Sequence, residues 1–130
     1  MIVDIEEREC FELLRATTVG RLGFVHDEAV QIIPVNYRTD GQDLIIRTSP
    51  DGILSTLEDH PVALALQVDH HDDLGGAGWS VLMNGSVTSI TDDADIPGAN
   101  RVLPWSGGER ALALRFVVQR ISGRRVRRER

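Results

Sequence analysis

Residues 47–50 combine an arginine, two hydroxyl side chains and the expected start of a helix. Ser49 is a preferred N-cap residue and Pro50 suits the first helical position, so the sequence predicts a helix that starts here. The free N–H groups of a helix N-terminus attract anions, and Arg47 and Thr48 would add a positive charge and a hydroxyl donor. The pattern therefore allows two interpretations, a phosphate site or a helix cap beside a solvated strand end, and caps are the more common of the two.

Several other residues could do chemistry but lack partners in the sequence. Residues 69–73, DHHDD, offer side chains that can bind metal, yet adjacent histidines point apart and no spaced partner motif follows. A solvated loop explains this segment better than a metal site. No nucleophile elbow, Walker loop or GxGxxG motif occurs, and neither the serines nor Cys10 have a recognisable catalytic partner. The sequence thus assigns no catalytic acid, base or nucleophile and no metal ligand.

Trp79 and Trp105 stand out because only 5% of the residues are aromatic. Each lies beside a glycine-rich or polar segment, where a large ring can form the wall of a pocket for a flat heteroaromatic ligand. The alternative is that both side chains pack in the core, as large aromatic residues more often do.

The composition is that of a single folded domain. The chain has 130 residues, 42% of them hydrophobic and 26% charged, and no apolar run approaches the roughly 20 residues that a membrane span needs. The first ten residues lack the basic and then apolar order of a signal peptide, and a single cysteine cannot form an internal disulfide. We therefore expect a cytoplasmic protein without a membrane partner.

The C-terminal residues are strongly basic in an otherwise acidic chain. Six arginines and one glutamate follow Val118, a local charge of +5 in a protein whose net charge is −6. Because no aromatic residue interleaves these arginines and chain termini fray, a solvated tail is favoured over a nucleic-acid-binding segment. We therefore divide the chain into a folded domain, residues 1–122, and a basic tail, residues 123–130.

Hydrophobic periodicity predicts strands along most of the chain and short helices at residues 6–16, after Ser49 and within residues 92–103. Asp40-Gly41 between two apolar runs predicts a hairpin, because glycine accepts the positive φ of a tight turn. The six predicted strands are residues 17–25, 30–37, 43–48, 62–68, 79–90 and 109–121. Short connections without a βαβ alternation indicate a mainly β protein with an antiparallel barrel or sandwich.

Two positions within these strands predict irregularities. Pro34 has no N–H to donate to a neighbouring strand, so it predicts a sheet edge or a bulge. Asn84-Gly85 interrupts a long apolar stretch and predicts a sharp bend.

The segments VGRLGF, QIIPVNY, the Asp-Gly turn, LIIRTSPDG, the strand ending in QVD, and GWSVLMNG occur in this order. As an ordered set they resemble the pyridoxamine 5′-phosphate oxidase-like family, and the resemblance covers nearly the whole chain. It implies a mainly β fold, a six-stranded antiparallel split β-barrel with two or three short helices. It also implies a homodimer that holds flavin mononucleotide (FMN) at the subunit interface.

Carried over by position, the resemblance implies contacts to the FMN phosphate, to the flavin ring and to the outer part of the pocket. The phosphate contacts are Arg47, Thr48 and Ser49. The residues along the ring are Pro34, Val35, Asn36 and Tyr37. The strand of Trp79 and the C-terminal segment with Arg124 would complete the pocket, and Trp105 is a further candidate for its wall.

The chain contains no lysine, and Ile53 stands where related sequences often carry one. Under the resemblance, Arg124 or Arg125 would supply the missing second cation. We predict an FMN-dependent reductase or oxidase that acts on an unassigned small molecule. The alternatives are a deazaflavin-dependent reductase and a non-catalytic protein that binds flavin or haem.

Overall fold

The computed structural model describes residues 1–48, 63–72, 74–90 and 112–127. Within these ranges the chain forms one helix and seven strands, and most of the described residues are in strands. In chain order the elements are β1 (Ile2–Ile5), α1 (Glu7–Arg15), β2 (Val19–His26), β3 (Ala29–Asp40), β4 (Asp43–Thr48), β5 (Leu64–Asp72), β6 (Ala77–Ser89) and β7 (Leu112–Val126). The predicted helices after Ser49 and within residues 92–103 lie outside the described residues.

All strand pairings in the described chain are antiparallel, as the sequence predicted. Neighbouring strands follow the circuit β7–β4–β3–β2–β5–β6, and β6 pairs again with β7, so six strands form a closed ring of pairings. These six correspond to the six predicted strands. The described chain therefore has seven strands where six were predicted: β1 was not predicted, and it pairs with the end of β7.

The predicted hairpin at Asp40-Gly41 is confirmed. Asp40 pairs with Asp43, so that Gly41 and Gln42 form a two-residue loop, and Gly41 has a φ of +61°. A glycine with positive φ at the first loop position is the requirement of a type II′ turn. The pairing of β3 with β4 begins only at Asn36. Pro34 pairs with Arg21 on β2. The residues that follow β4 lie outside the described residues, so the predicted edge or bulge at Pro34 stays a prediction.

The predicted irregularity at Asn84-Gly85 is a bulge within a continuous strand. Asn84 pairs with Arg120 and Gly85 pairs with Val118, so Gln119 is an extra residue on β7. A Cβ atom at Gly85 would collide with the carbonyl oxygen of Val117. Glycine is needed here because β7 approaches β6 so closely.

The helix α1 packs against the core side of the sheet. Cys10, Phe11 and Leu14 are buried, and α1 contacts β7 and β3. The strands contribute the rest of the core, with fully buried side chains such as Leu66 and Phe116. At nine residues, α1 is too short to cross a bilayer, and no other helix occurs in the described ranges.

Candidate functional site

The most unusual buried residue on the sheet is Arg47, which has 9% of its surface exposed. It is the only buried charged residue in the described part of the chain. Arg47 pairs with Asn36 on β3 and with Ala113 on β7, so the three residues form a row across three strands. Because successive side chains alternate between the two faces of a strand and Ile46 is in the core, Arg47 lies on the opposite, outer face.

The same alternation divides the four residues that were predicted to line the flavin ring. Val35 and Tyr37 are core residues with 2% and 1% of their surface exposed. Pro34 is exposed and Asn36 half-buried, and both lie on the outer face with Arg47. Any contact that Val35 or Tyr37 makes with a ligand on the outer face must therefore come from backbone atoms.

The hydroxyl of Tyr37 is directed towards the helix. It donates a hydrogen bond to the carbonyl oxygen of Leu14 at 2.8 Å and also contacts the hydroxyl of Thr17. Burial raises the pKa of Tyr37 to about 12, although the hydrogen bond with Thr17 lowers it somewhat. The tyrosine hydroxyl is thus a neutral structural group that joins β3 to α1.

Three further residues were predicted to contact the phosphate or to form the pocket wall: Thr48, Ser49 and Trp105. Thr48 is the last residue of β4, and its backbone pairs with Leu112. Ser49 and Trp105 lie outside the described residues. Of the three predicted phosphate contacts, the structure therefore describes the side chain of Arg47 and the backbone of Thr48.

A second group of side chains surrounds Trp79 at the far end of β6. Trp79 pairs with His70 on β5 and with Arg125 on β7, and it packs against the core. The rings of His70 and Trp79 are stacked, with 6.4 Å between their centroids and 28° between their planes. The Nη2 atom of Arg125 lies 2.7 Å from Oε1 of Glu9 on α1. This group, which we call the Trp79 cluster, consists of His70, Trp79, Arg125 and Glu9.

Arg124 is near the Trp79 cluster in sequence but lies on the other face. It is exposed and pairs with Asp4 on β1 and Ser80 on β6. The strand that was predicted to end at residue 121 runs to Val126, so residues 123–126 of the predicted tail belong to β7. Of the two arginines considered for the pocket, Arg125 is therefore the one beside Trp79.

Arg47 and the Trp79 cluster lie at opposite ends of β7. Ala113, the β7 partner of Arg47, is eleven residues from Arg124. Since a strand rises about 3.3 Å per residue, the path along β7 between these two residues is roughly 35 Å. Within one chain, the structure does not bring Arg47 together with Trp79 or Arg124.

His70 was missed by the sequence analysis, because residues 69–78 were predicted to be a loop. This prediction is wrong for residues 69–72 and 77–78, since β5 continues to Asp72 and β6 begins at Ala77. The alternation that starts in the apolar part of β5 continues, so His70 follows Leu66 and Val68 on the inner face. Extending that alternation beyond Val68 would have identified His70.

Arg21 was also missed, and it lies beside Pro34 on the outer face. Its Nη1 atom donates a hydrogen bond to Oδ1 of Asp69 at 2.7 Å. The motif VGRLGF contains this arginine, but its partner is 48 residues away and could not be identified from local sequence. In the described ranges, no three His, Cys, Asp or Glu residues are grouped so that they could hold a metal ion.

Comparisons with known proteins find a matching family and similar structures over almost the entire chain. A family model described as pyridoxamine 5′-phosphate oxidase matches residues 6–125. A protein of Mycobacterium tuberculosis is 28% identical over 109 residues, which are 80% of this chain and 72% of that protein. An FAD-binding protein from Mesorhizobium loti is 21% identical, with a TM-score of 0.82 and 98% of each chain covered. An FAD-binding protein from Mycobacterium smegmatis is 22% identical, with a TM-score of 0.75 and coverage of 98% of this chain and 100% of that one.

Proposed function

Because the chain belongs to the pyridoxamine 5′-phosphate oxidase family, we propose that it is a flavin-dependent oxidoreductase whose cofactor is FMN. The observation that carries this proposal is the buried Arg47 beside Asn36 on the outer face of the sheet. A bound flavin would supply the electron-transfer chemistry, and the protein would supply binding, orientation and charge. The substrate is a small molecule.

The residues around Arg47 suit a flavin phosphate. A guanidinium group has five N–H donors in a fixed planar arrangement, which matches the oxygens of a phosphate. Asn36 adds an amide directly opposite, and Pro34 lies two residues further along the same face of β3. We therefore assign the phosphate to Arg47 and the flavin ring to the surface formed by Pro34 and Asn36. Thr48 and Ser49 follow Arg47 directly in the sequence, and their hydroxyl groups would be further donors to the phosphate.

The closed ring of strand pairings supports a split β-barrel as the scaffold for this site. In such a ring, inward side chains form the core and alternate along each strand with side chains on the outer face. The alternation of Val35 and Asn36 on β3 follows this rule. A cofactor on the outer face would then lie against a rigid surface, which favours precise positioning of its reactive ring.

A homodimer resolves the separation between the two groups of candidate residues. Roughly 35 Å lies between Ala113 and Arg124 along β7, which is longer than one FMN molecule. One flavin can therefore contact Arg47 together with Trp79 or Arg124 only if these residues come from two chains. We propose that each site combines Arg47 of one protomer with the Trp79 end of its partner.

An exposed apolar surface next to Pro34 supports this assembly. Val25, Val30 and Ile32 are 65%, 74% and 67% exposed and lie on the outer face of the β2–β3 hairpin. Pro34 continues the same face towards Asn36. Contiguous apolar surface of this kind is typical of protein interfaces, and a twofold partner would cover it while it approaches the flavin surface.

FAD is the second candidate for the cofactor, because the two FAD-binding proteins described above share this fold. FAD contains the same riboflavin phosphate unit as FMN, so the contact with Arg47 would serve both. The absorbance spectrum of the purified protein distinguishes flavin from the deazaflavin and haem alternatives. The relative affinities of the flavin-free protein for FMN and FAD then identify the cofactor.

The decisive experiment compares FMN with riboflavin in the native protein and in Arg47→Gln. We expect the native protein to bind FMN at least about tenfold more tightly than riboflavin, which is the scale of a charge-assisted hydrogen bond. Arg47→Gln should remove most of that difference, and Arg8→Gln, a highly exposed position on α1, should retain it. Equal affinities for FMN and riboflavin in the native protein would contradict the proposed phosphate site.

A further inference from the structure

Two adjoining cavities, of about 210 and 290 Å³, open at the Trp79 cluster. Both are lined by the stacked rings of His70 and Trp79 and by the backbone around Gly78. The larger cavity also includes Arg125, Arg127 and Asp72. Each volume is just below the usual range for small-molecule sites, so the cavities suit a small ligand with one or two rings.

The rings of His70 and Trp79 provide a flat wall for an aromatic ligand. Trp79 packs against the core but remains half-buried, so part of its ring system faces the cavity. His70 is exposed and stacks on Trp79 with an angle of only 28° between the planes. An aromatic ligand gains binding free energy from such offset stacking in addition to the burial of its apolar surface. An aliphatic ligand gains only the contribution of burial.

The larger cavity contains two arginines that can bind a carboxylate. Arg125 is held by Glu9 through one nitrogen at 2.7 Å, which orients the guanidinium and leaves other N–H donors available. The side chain of Arg127 has no hydrogen bond or ion pair with the described residues. Asp72 also lines the cavity, but its Oδ1 accepts the N–H of Gly75 at 3.1 Å. Asp72 keeps its negative charge, but two arginines line the larger cavity against this one carboxylate.

We propose that these cavities form the substrate subsite of the enzyme and bind a planar aromatic carboxylate. The ring of the ligand would stack beside Trp79 and His70, and its carboxylate would bind Arg125 and Arg127. The inference rests on the proposed function in one respect, because the dimer described above brings the partner's flavin surface to this end of the molecule. The binding of the ligand itself needs no flavin.

The test uses 2-naphthoate as the probe, with calorimetric titration of the flavin-free, full-length protein. Two analogues serve as ligand controls: 2-naphthamide has the ring without the charge, and cyclohexanecarboxylate has the charge without an aromatic ring. We expect 2-naphthoate to bind and both analogues to bind at least about tenfold more weakly. Arg125→Gln should weaken the binding of 2-naphthoate by a similar factor. Arg120→Gln removes an exposed arginine from the same strand outside the cavities and should leave this binding unchanged.

Several results would overturn the proposal. They are the absence of 2-naphthoate binding, equal binding of the three probes, and equal effects of Arg125→Gln and Arg120→Gln. His70→Ala gives an independent check, because this exposed side chain can be removed without disturbing the core. The substitution should weaken the binding of 2-naphthoate more than the binding of cyclohexanecarboxylate. Arg47→Gln separates the two proposals, since it should lose selectivity for FMN and still bind 2-naphthoate.

Discussion

Asn36 on β3 and Arg47 on β4 lie directly opposite each other, on the face of the sheet that is turned away from the core. The next residues along the two strands, Tyr37 and Ile46, form the following pair and are both in the core. Two adjacent rows of the sheet therefore have different tasks. One row is part of the core, and the other contains the cation and the amide that we propose bind the flavin phosphate. Substitutions in the two rows should separate these tasks.

A charge introduced at Asn36 should weaken binding of the flavin phosphate without disturbing the packing of the core. Asn36→Asp would place a carboxylate beside the guanidinium of Arg47, where it competes with a phosphate for the same donors. We expect the affinity for FMN to fall about tenfold or more and that for riboflavin to change much less. Gln67→Glu, an exposed position on β5, adds the same charge elsewhere and should leave the ratio of the two affinities unchanged. Fluorescence titration measures both affinities.

The proposed dimer predicts that the exposed apolar surface of the β2–β3 hairpin is needed for assembly. Ile32→Glu would place a charge at the centre of this surface, where burial is costly. Light scattering should then report a monomer in place of a dimer, and binding of FMN should weaken at the same time. Gln119→Glu is the control, because it adds the same charge at an exposed residue on β7, a strand that does not pair with β2 or β3. A monomeric variant with native affinity for FMN would show that the site does not need a partner.

Tyr37 predicts a loss of stability at alkaline pH. Its pKa is about 12 in the folded protein and close to 10 in the unfolded chain, so the unfolded state loses the proton first. The free energy of unfolding should therefore decrease as the pH rises from about 10 to about 12. Tyr37→Phe should remove this part of the decrease and cost about 1 kcal/mol at neutral pH, because the hydrogen bond to Leu14 is lost.

The sequence makes this measurement unusually direct. The chain has one tyrosine and no lysine, so few groups titrate in this range. Burial also raises the pKa of Cys10, but Cys10 is present in both proteins and cancels in the difference between their curves. Parallel curves for the native protein and Tyr37→Phe between pH 10 and 12 would contradict the assignment.

The bulge between β6 and β7 predicts a large effect of one methyl group. Gly85→Ala would force its Cβ against the carbonyl oxygen of Val117, and we expect a loss of about 3 kcal/mol in the free energy of unfolding. Gly23→Ala is a matched control on β2, because its Cβ would have no neighbour closer than 3.8 Å. This control should change stability by no more than about 0.5 kcal/mol. Urea unfolding measures both variants, and similar stabilities for the two would refute the close approach.

Local patterns in the sequence were sufficient for the six strands of the ring. The apolar run in residues 30–37 identified β3, and glycine at position 41 identified the hairpin turn, because both features depend on neighbours in the chain. β1 was not predictable in this way. Its four residues pair only with residues 123–126, at the other end of the chain, and nothing in their own pattern indicates that pairing.

The candidate site shows the same division between local and long-range information. The sequence identified Arg47 and Trp79 individually, because each is an unusual residue in its segment. It could not show that they lie at opposite ends of β7, since that depends on which strands are neighbours. The stacking of His70 on Trp79 depends on the register between β5 and β6. Register is set by the whole sheet, so it was also inaccessible to local analysis.

Arg124 provides the last prediction, which concerns the cation that the absent lysine would otherwise supply. A truncation from residue 123 onwards is unsuitable as a test, because it would remove the part of β7 that pairs with both β1 and β6. Arg124→Gln keeps the strand and removes only the charge. If Arg124 of one protomer reaches the phosphate bound by its partner, this substitution should weaken the binding of FMN more than the binding of riboflavin.

The salt dependence of binding distinguishes Arg124 from a general effect of charge. Because Arg124 is exposed, its contribution should decrease as salt is added, whereas the buried Arg47 should be screened much less. Arg120→Gln, the same substitution at an exposed position on β7, should not change the preference for FMN. If Arg124→Gln and Arg120→Gln both bind FMN like the native protein at low salt, Arg124 is not part of the site. The phosphate would then depend on Arg47 and on the end of β4.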